Sequence, residues 1–340
     1  MTAGHRSASL WPRTVGDDNE PALAISATAD GYVPHFIHGD DRTWPETNCY
    51  LDLWVETLHA LGHDPLPMLG SALAADHDGE QWTFVKPDPD DLRELYGLQV
   101  AEENVWRPVL DTVESGPSRN LLFTVEVDSW WLPDTAGTDY RSGHVKSSIV
   151  PVRVDREAHV MEYIHGAGLH RLTGEDFGGV FNLEPRSEWM LPPFTEQIRR
   201  VEASPDPSGD LAVHLARKHI DRAPTYNPVD RLAAGVVGAL EWLPVAGVAK
   251  FHSWAFATLR QCGATAEVAA DLATYLETHG APGAGAAREP FLAVTNGAKS
   301  VQFKMARAAN GRKVVVDEAL TEMATQWSTA MKILDSRVPR

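Results

Sequence analysis

The chain has 340 residues, of which 43% are hydrophobic, and a formal net charge of −17. That length suits one large domain or two ordinary ones with a real core, and the acidity argues against broad nucleic-acid binding. Two cysteines make no disulfide framework and fit a reducing cytoplasm, and the first residues show no apolar signal-peptide core.

Residues 1–28 read as a loose arm. The stretch "PETNCYLDLWVETLHALG" then predicts a helix over 48–61. Tyr50, Trp54, Leu58 and Leu61 form one apolar stripe, Thr47 and Asn48 are candidate caps, and Gly62 is a stop. Cys49 falls with Asp52, Glu56 and Ala60, opposite the centre of that stripe. Free cysteine usually packs as a small hydrophobe, so the off-stripe position singles this one out. Unpaired N–H groups at a helix start stabilise a thiolate. Asp52 and Glu56 oppose one, so a nucleophile here needs a cationic partner; a satisfied structural cysteine is the alternative.

Upstream, "HFIHGDD" brings His35, His38, Asp40 and Asp41 together, and His59 and His63 are spaced i, i+4. A metal hydrolase is conceivable on that spacing. The pair lacks its glutamate and a third ligand, so no metal is expected.

A short helix follows in "PLPMLGSALAADHDGEQWTF", then a strand at Trp82–Val85. "DPDDLRELYGL" predicts an Asp-capped helix and "VWRPVLDTVESG" another. "NLLFTVEVDSWWL", "VKSSIVPVRV" and "AHVMEYI" alternate and are rich in β-formers, the last two forming a hairpin across "DRE". Helices and then strands predict an α+β domain over 29–204. A loop of about a dozen residues precedes His144, which opens the hairpin's first strand; long loops within domains are often functional.

"VEASPDPSGDL" marks a boundary near 205, and everything to residue 340 reads as a helical domain. "LAAGVVGALEWLPVAGVA" is interrupted by Glu241 and Pro244 and predicts buried helices rather than a bilayer span. "GVAKFHSWAFATLRQCG" predicts a helix ending at Gly263, with Cys262 packed at its end. "TAEVAADLATYLETHG" is another helix, "APGAGAAREP" a flexible link, and two last helices flank "NGRK". Residues 299–313 hold Lys299, Lys304, Arg307, Arg312 and Lys313 and no acid. They are a candidate docking patch for an acidic partner, or an ordinary solvated face.

"NCYLDLWVETLHALG", "WTFVKP", "NVWRPVLDTV", "VEVDSWWLPDTAGTDYRSGHVKSSIV" and "YIHGAG" together resemble an uncharacterised bacterial family. Its members often lie near carrier proteins and synthetase-like amino-acid ligases. More remotely, the order of motifs resembles the butirosin-biosynthesis acyltransferase and papain-like cysteine peptidases of the bacteriocin-processing type. The resemblance implies a papain-like fold, with a Cys-headed helix on a small antiparallel sheet, followed by the helical domain. It implies an acyl or aminoacyl transferase that takes a thioester from a carrier protein onto Cys49 and passes it to a small-molecule amine. The phosphopantetheine arrives on the partner, and the chain needs no cofactor of its own. Neither nucleic acid nor membrane is an expected partner.

By position, Cys49 matches the nucleophile and His144 the base. The strand after the histidine strand ends in "EYIHGAG", with His165 and Gly166 where a carboxamide would stand. Asp155 and Asp128 are therefore the candidate third members. No glutamine lies within residues 1–80, so the backbone N–H of Cys49, with Asn48 or Thr47, would form the oxyanion site. Trp130 and Trp131 would line the acyl pocket, or serve simply as core. The same residues would serve a cysteine hydrolase or peptidase, and a non-catalytic carrier-binding protein is the third reading.

Overall fold

Alternation along the strands separates two cores, one on each face of a six-stranded antiparallel sheet. The structure is a computed structural model that describes residues 23–183, 192–201 and 209–340. The strands are β1 (Leu98–Glu102), β2 (Leu121–Asp128), β3 (Lys146–Asp155), β4 (Val160–His165), β5 (Gly168–Thr173) and β6 (Thr195–Arg200), in the order β1-β6-β2-β3-β4-β5. Leu122, Val150, Ile164 and Ile198 face one core. Their neighbours Phe123, Ile149 and Tyr163 face the other, as a period of two requires. The result is α+β, with a helical C-terminal region.

Helix α1 (Cys49–Ala60) packs on the first face, across β3 and β4. Asn48 is its N-cap, its side chain accepting from the backbone N–H of Tyr50 and Leu51 at 3.1 and 2.9 Å. The helix is buried nearly all round rather than along one stripe, with Asp52, Glu56 and Thr57 as enclosed as Leu53 and Trp54. Helix α2 (Pro89–Tyr96) begins at the Asp88 cap and ends at Gly97, whose φ of 64° suits a residue without a β-carbon. Helices α3 (Val109–Glu114) and α4 (Glu175–Val180) cover the second face with Leu110, Val113 and Phe177. The β3–β4 hairpin turns as the sequence predicts, pairing Asp155 with Val160.

The C-terminal region holds α5 (Gly209–Arg222), α6 (Pro228–Ala255), α7 (Gln261–Thr278), α8 (Arg288–Ala309) and α9 (Asp317–Arg337). Its core is continuous with that of α1, so Trp44, Trp54, Leu259, Cys262 and Trp327 belong to one cluster.

Several expectations change. Trp82–Val85 is not a strand; Trp82 makes a single bridge to His77, and its ring packs on Trp327. Gly263 ends no helix. A one-turn π-helix (Phe256–Arg260) joins α6 to α7, and Gly263 lies inside α7, where a β-carbon would come within 2.5 Å of the Trp44 indole nitrogen. The "APGAGAAREP" link is docked: Ala284 and Ala287 are buried, and Glu277 accepts from the backbone N–H of Gly283 and Gly285. Within the expected N-terminal arm, Leu23 and Ile25 are core residues; residues 1–22, and the boundary near 205, lie outside the described residues. In α6 Val229, Leu232, Val236, Ala239 and Leu243 form a buried stripe and Phe251 and Ala255 are buried near its end, while Trp242, Val245 and Val248 are exposed. By length and composition the run Pro228–Thr278 is apolar enough to cross a membrane, despite Glu241 and Pro244, and 22% of its most apolar window is buried.

Candidate active site

The half-buried thiol of Cys49 occupies the first position of α1, and its own N–H is among the helix's orphan donors. Burial pushes the thiol above its usual range. The charge of Lys146 and a hydrogen bond with the Ser147 side chain pull it partly back, and Asp52 and Glu126 raise it. The resting group is therefore a thiol that needs a route for its proton.

Such a route begins at Ser147. Its hydroxyl lies 2.5 Å from Nε2 of His165, and Nδ1 of His165 lies 2.5 Å from a carboxylate oxygen of Asp134. The other oxygen of Asp134 accepts from the Tyr163 hydroxyl. Burial works against the Asp134 charge, but the bonds from His165 and Tyr163 and the nearby His170 hold its carboxyl below the ordinary range. With Asp134 ionised, the Nδ1–H donates to it, Nε2 accepts from Ser147, and the serine oxygen is left to accept from the Cys49 S–H. The register sets this line on the second-core face, opposite the face on which α1 packs: continuing the Val150–Ile164 pair one step brings His165 level with Ile149, with Ser147 two residues on near the start of β3.

The two acids expected to oppose a thiolate are already engaged. His38 lies 2.5 Å from Glu56 and 3.5 Å from Asp52, all three buried. Burial alone would strip its proton, but the bond to Glu56 and the close charges of Glu56 and Asp52 raise its pKa to about 9. Asp52 also accepts the backbone N–H of Thr47 at 2.9 and 3.0 Å, and Glu56 accepts from His35 N–H at 2.9 Å and the Tyr32 hydroxyl at 2.5 Å. The required cation thus comes from "HFIHGDD", the stretch that raised the question of a metal. His35 instead stands edge-on to His59, and His63 lies beyond the end of α1 against Tyr96. Among the described residues, the His/Cys/Asp/Glu group within metal-binding reach is Asp88, Asp91 and His219, elsewhere in the molecule. Lys218 and Arg222 already pair with its acids.

The segment leading into α1 is held by the helical region. Arg42 forks onto Asp271 at 2.6 and 3.0 Å, and Glu267 accepts from Thr43 and Trp44 N–H at 3.0 and 2.8 Å. Arg260 donates to the Glu46 carbonyl, and the buried Gln261 donates to the Thr47 carbonyl, both at 3.0 Å. The Asn48 amide donates to Val85 O at 3.0 Å and to Gln261 at 3.4 Å. Thr47 N–H and the Asn48 side chain are therefore engaged in holding the turn, leaving the Cys49 N–H as the oxyanion donor of the expected set.

The remaining predicted residues fall in different places. His144 is exposed, with Nδ1 2.6 Å from Asp128 and its ring stacked on Trp130 at 4.7 Å. Asp128 caps the turn that carries Trp130 and Trp131. Trp131 is buried against Gly179, with Arg141 over its ring at 4.4 Å. Asp155 sits in the β3–β4 turn, eight residues or about 26 Å along the strand from Ser147, and belongs to no cluster with Cys49. On α8, Lys299 turns to Thr43 O and the Trp44 ring, Lys304 is half-buried and Arg307 faces solvent, as do Arg312 and Lys313 beyond the helix end. Cys262 is fully buried, its thiol pushed up by burial alone. Sequence reading missed Ser147 and Asp134 as site residues and left His165 without a role; the hairpin register was the available signal for Ser147 and His165.

Two comparisons bear on this arrangement. The DUF1839 N-terminal domain matches residues 33–200, and the DUF1839 C-terminal domain matches residues 208–336. No curated protein matches the chain.

Proposed function

The chain belongs to the DUF1839 family, and from that premise we propose that it is a cysteine-dependent acyltransferase. It takes an acyl or aminoacyl group from a carrier-protein thioester onto Cys49 and passes it to an amine. The observation that carries the reading is the half-buried thiol at a helix start, within the influence of Ser147, which heads the hydrogen-bonded Ser147–His165–Asp134 line. A Cys-headed helix lying across antiparallel strands supports a papain-like arrangement. The exposed cations Arg307, Arg312 and Lys313 support an acidic partner.

The proton of Cys49 passes to the Ser147 oxygen as the serine proton passes to His165 Nε2, and Asp134 offsets the imidazolium. The sulfur attacks the thioester carbonyl. The oxyanion forms at the positive end of α1, facing the Cys49 N–H. The carrier thiolate leaves and takes the proton back from the relay, so an acyl-cysteine remains. An amine then attacks that carbonyl, gives a proton to the relay, and Cys49 leaves as the thiol. His144, the base expected from the sequence, pairs with Asp128 on the exposed side; the influence of Ser147 on the thiol and its bond to His165 favour His165. A hydrolase would replace the amine with water at the same site.

Intact-mass measurement of the protein mixed with loaded carrier protein tests the reading. A single acyl adduct that maps to Cys49 is expected, released by an amine faster than by water. Absence of any adduct would leave a non-catalytic carrier-binding protein. Release by water alone would make the protein a hydrolase.

A further inference from the structure

Trp44 lies five residues before Cys49 and is flanked by two cations from the helical region. The Lys299 ammonium stands 4.1 Å from its ring centre and the Arg260 guanidinium 6.0 Å. Like charges are gathered on one ring, offset in part by Glu267 near Lys299 and Glu46 near Arg260. Glu46 approaches Arg260 only to 3.9 Å and is half exposed, and Glu267 is occupied by two backbone N–H groups and Arg42. The Nε of Arg260 is buried without a hydrogen-bond partner. Burial and the charge of Arg260 together lower the Lys299 pKa, as a crowded cation pair requires. Both cations bond the chain that ends in the nucleophile, Arg260 at Glu46 O and Lys299 at Thr43 O. Glu46 and Thr43 stand only three and six residues before Cys49, so both cations grip the segment that leads into it.

We infer that Arg260 and Lys299 form an anion site for a phosphate carried on the long arm of the thioester donor. This rests on Cys49 being the acylated residue. A guanidinium whose Nε has no partner and a neighbouring ammonium suit a tetrahedral oxyanion, and in the proposed reaction the long arm of the donor is what would bring a phosphate to the segment before Cys49. Two donors share that chemistry: a phosphopantetheine fixed to a carrier protein, and free coenzyme A.

Titration calorimetry of the full chain tests it with pantetheine and 4′-phosphopantetheine as free thiols, which cannot acylate Cys49. The phosphorylated compound is expected to bind at least tenfold more tightly, with the advantage falling as salt rises. Arg260→Gln and Lys299→Gln should each remove most of it, and Arg260→Lys should keep part. Equal affinity of the unaltered protein for the two thiols overturns the site, as does a preference that both folded Gln variants retain. Coenzyme A and a phosphopantetheine-bearing carrier protein, compared in the same way, show which source is served; charge-dependent binding by neither counts against the site. If phosphopantetheine binds through these cations but its thioester never acylates Cys49, the acyltransfer reading fails and the anion site stands. If Cys49 is acylated equally from both pantetheine esters, only the anion site fails.

Discussion

At the scale of single residues, burial makes Cys49 dependent on its neighbours. A thiol pushed up by desolvation reacts slowly unless its proton has somewhere to go. Cys49→Ala should abolish acyl transfer. Ser147→Ala and His165→Gln should each lower kcat by about 10²–10⁴-fold. His144→Gln should cost far less, and a ranking of His144→Gln below His165→Gln in single-turnover kinetics would give the role to the exposed imidazole. His38 is tested separately. Its pKa is raised from 6.5 to about 9 by Asp52 and Glu56, so its contribution to stability is complete below about pH 6.5 and is lost as pH climbs through 9. Denaturant melts should show that decline for the natural protein and a flatter profile for His38→Gln. That variant should also lose about 3–5 kcal/mol at neutral pH, because two buried carboxylates are left without their cation. A full-sized decline that persists in His38→Gln would assign it to another group.

At the scale of elements, the π turn at Phe256–Arg260 is where the helical region reaches the segment before Cys49. One extra residue in the turn shifts the register between α6 and α7, and its last side chain, Arg260, with the first of α7, Gln261, bonds the carbonyls of Glu46 and Thr47. Gln261→Ala leaves the Thr47 carbonyl and part of the Asn48 amide without partners in a buried place. A stability loss of about 1–3 kcal/mol is expected. Displacement of the α1 start should lower kcat with KM little changed, and a loss in KM alone would make Gln261 a substrate contact instead. None of this was legible in the sequence. Periodicity and capping predicted the start of α1, the Asp88 cap, the β3–β4 hairpin and the helices around "NGRK", because each is set by residues close in the chain. Gly263 misled for the opposite reason: its glycine answers to Trp44, more than two hundred positions away, and not to a local helix end. The buried Asp52 and Glu56 misled likewise, since the His38 that neutralises them lies outside their helix.

At the scale of the whole molecule, the two family domains share a core and divide the labour of building one site. The N-terminal part supplies Cys49, Ser147, His165 and Asp134. The helical part fixes residues 42–48 through Asp271, Glu267, Arg260, Gln261 and Lys299. It also buries Trp44 and Trp82, which are 3% and 1% exposed. Without it both rings would meet water at about 4–6 kcal/mol each, from 150–250 Å² of surface at about 25 cal/mol/Å². Total stabilities are commonly about 5–15 kcal/mol, so two such losses suffice to unfold a domain. A chain ending at residue 201 should therefore lack a cooperative thermal transition and bind apolar dyes. It should take no acyl group at Cys49, and adding the separate helical part should restore some of both properties. The full chain should unfold in one transition, because a core shared across the boundary couples the halves. A truncated chain that melts cooperatively and is acylated at an undiminished rate would show that the nucleophile's setting is built by the sheet and α1 alone. The grip on residues 42–48 would then serve assembly rather than chemistry.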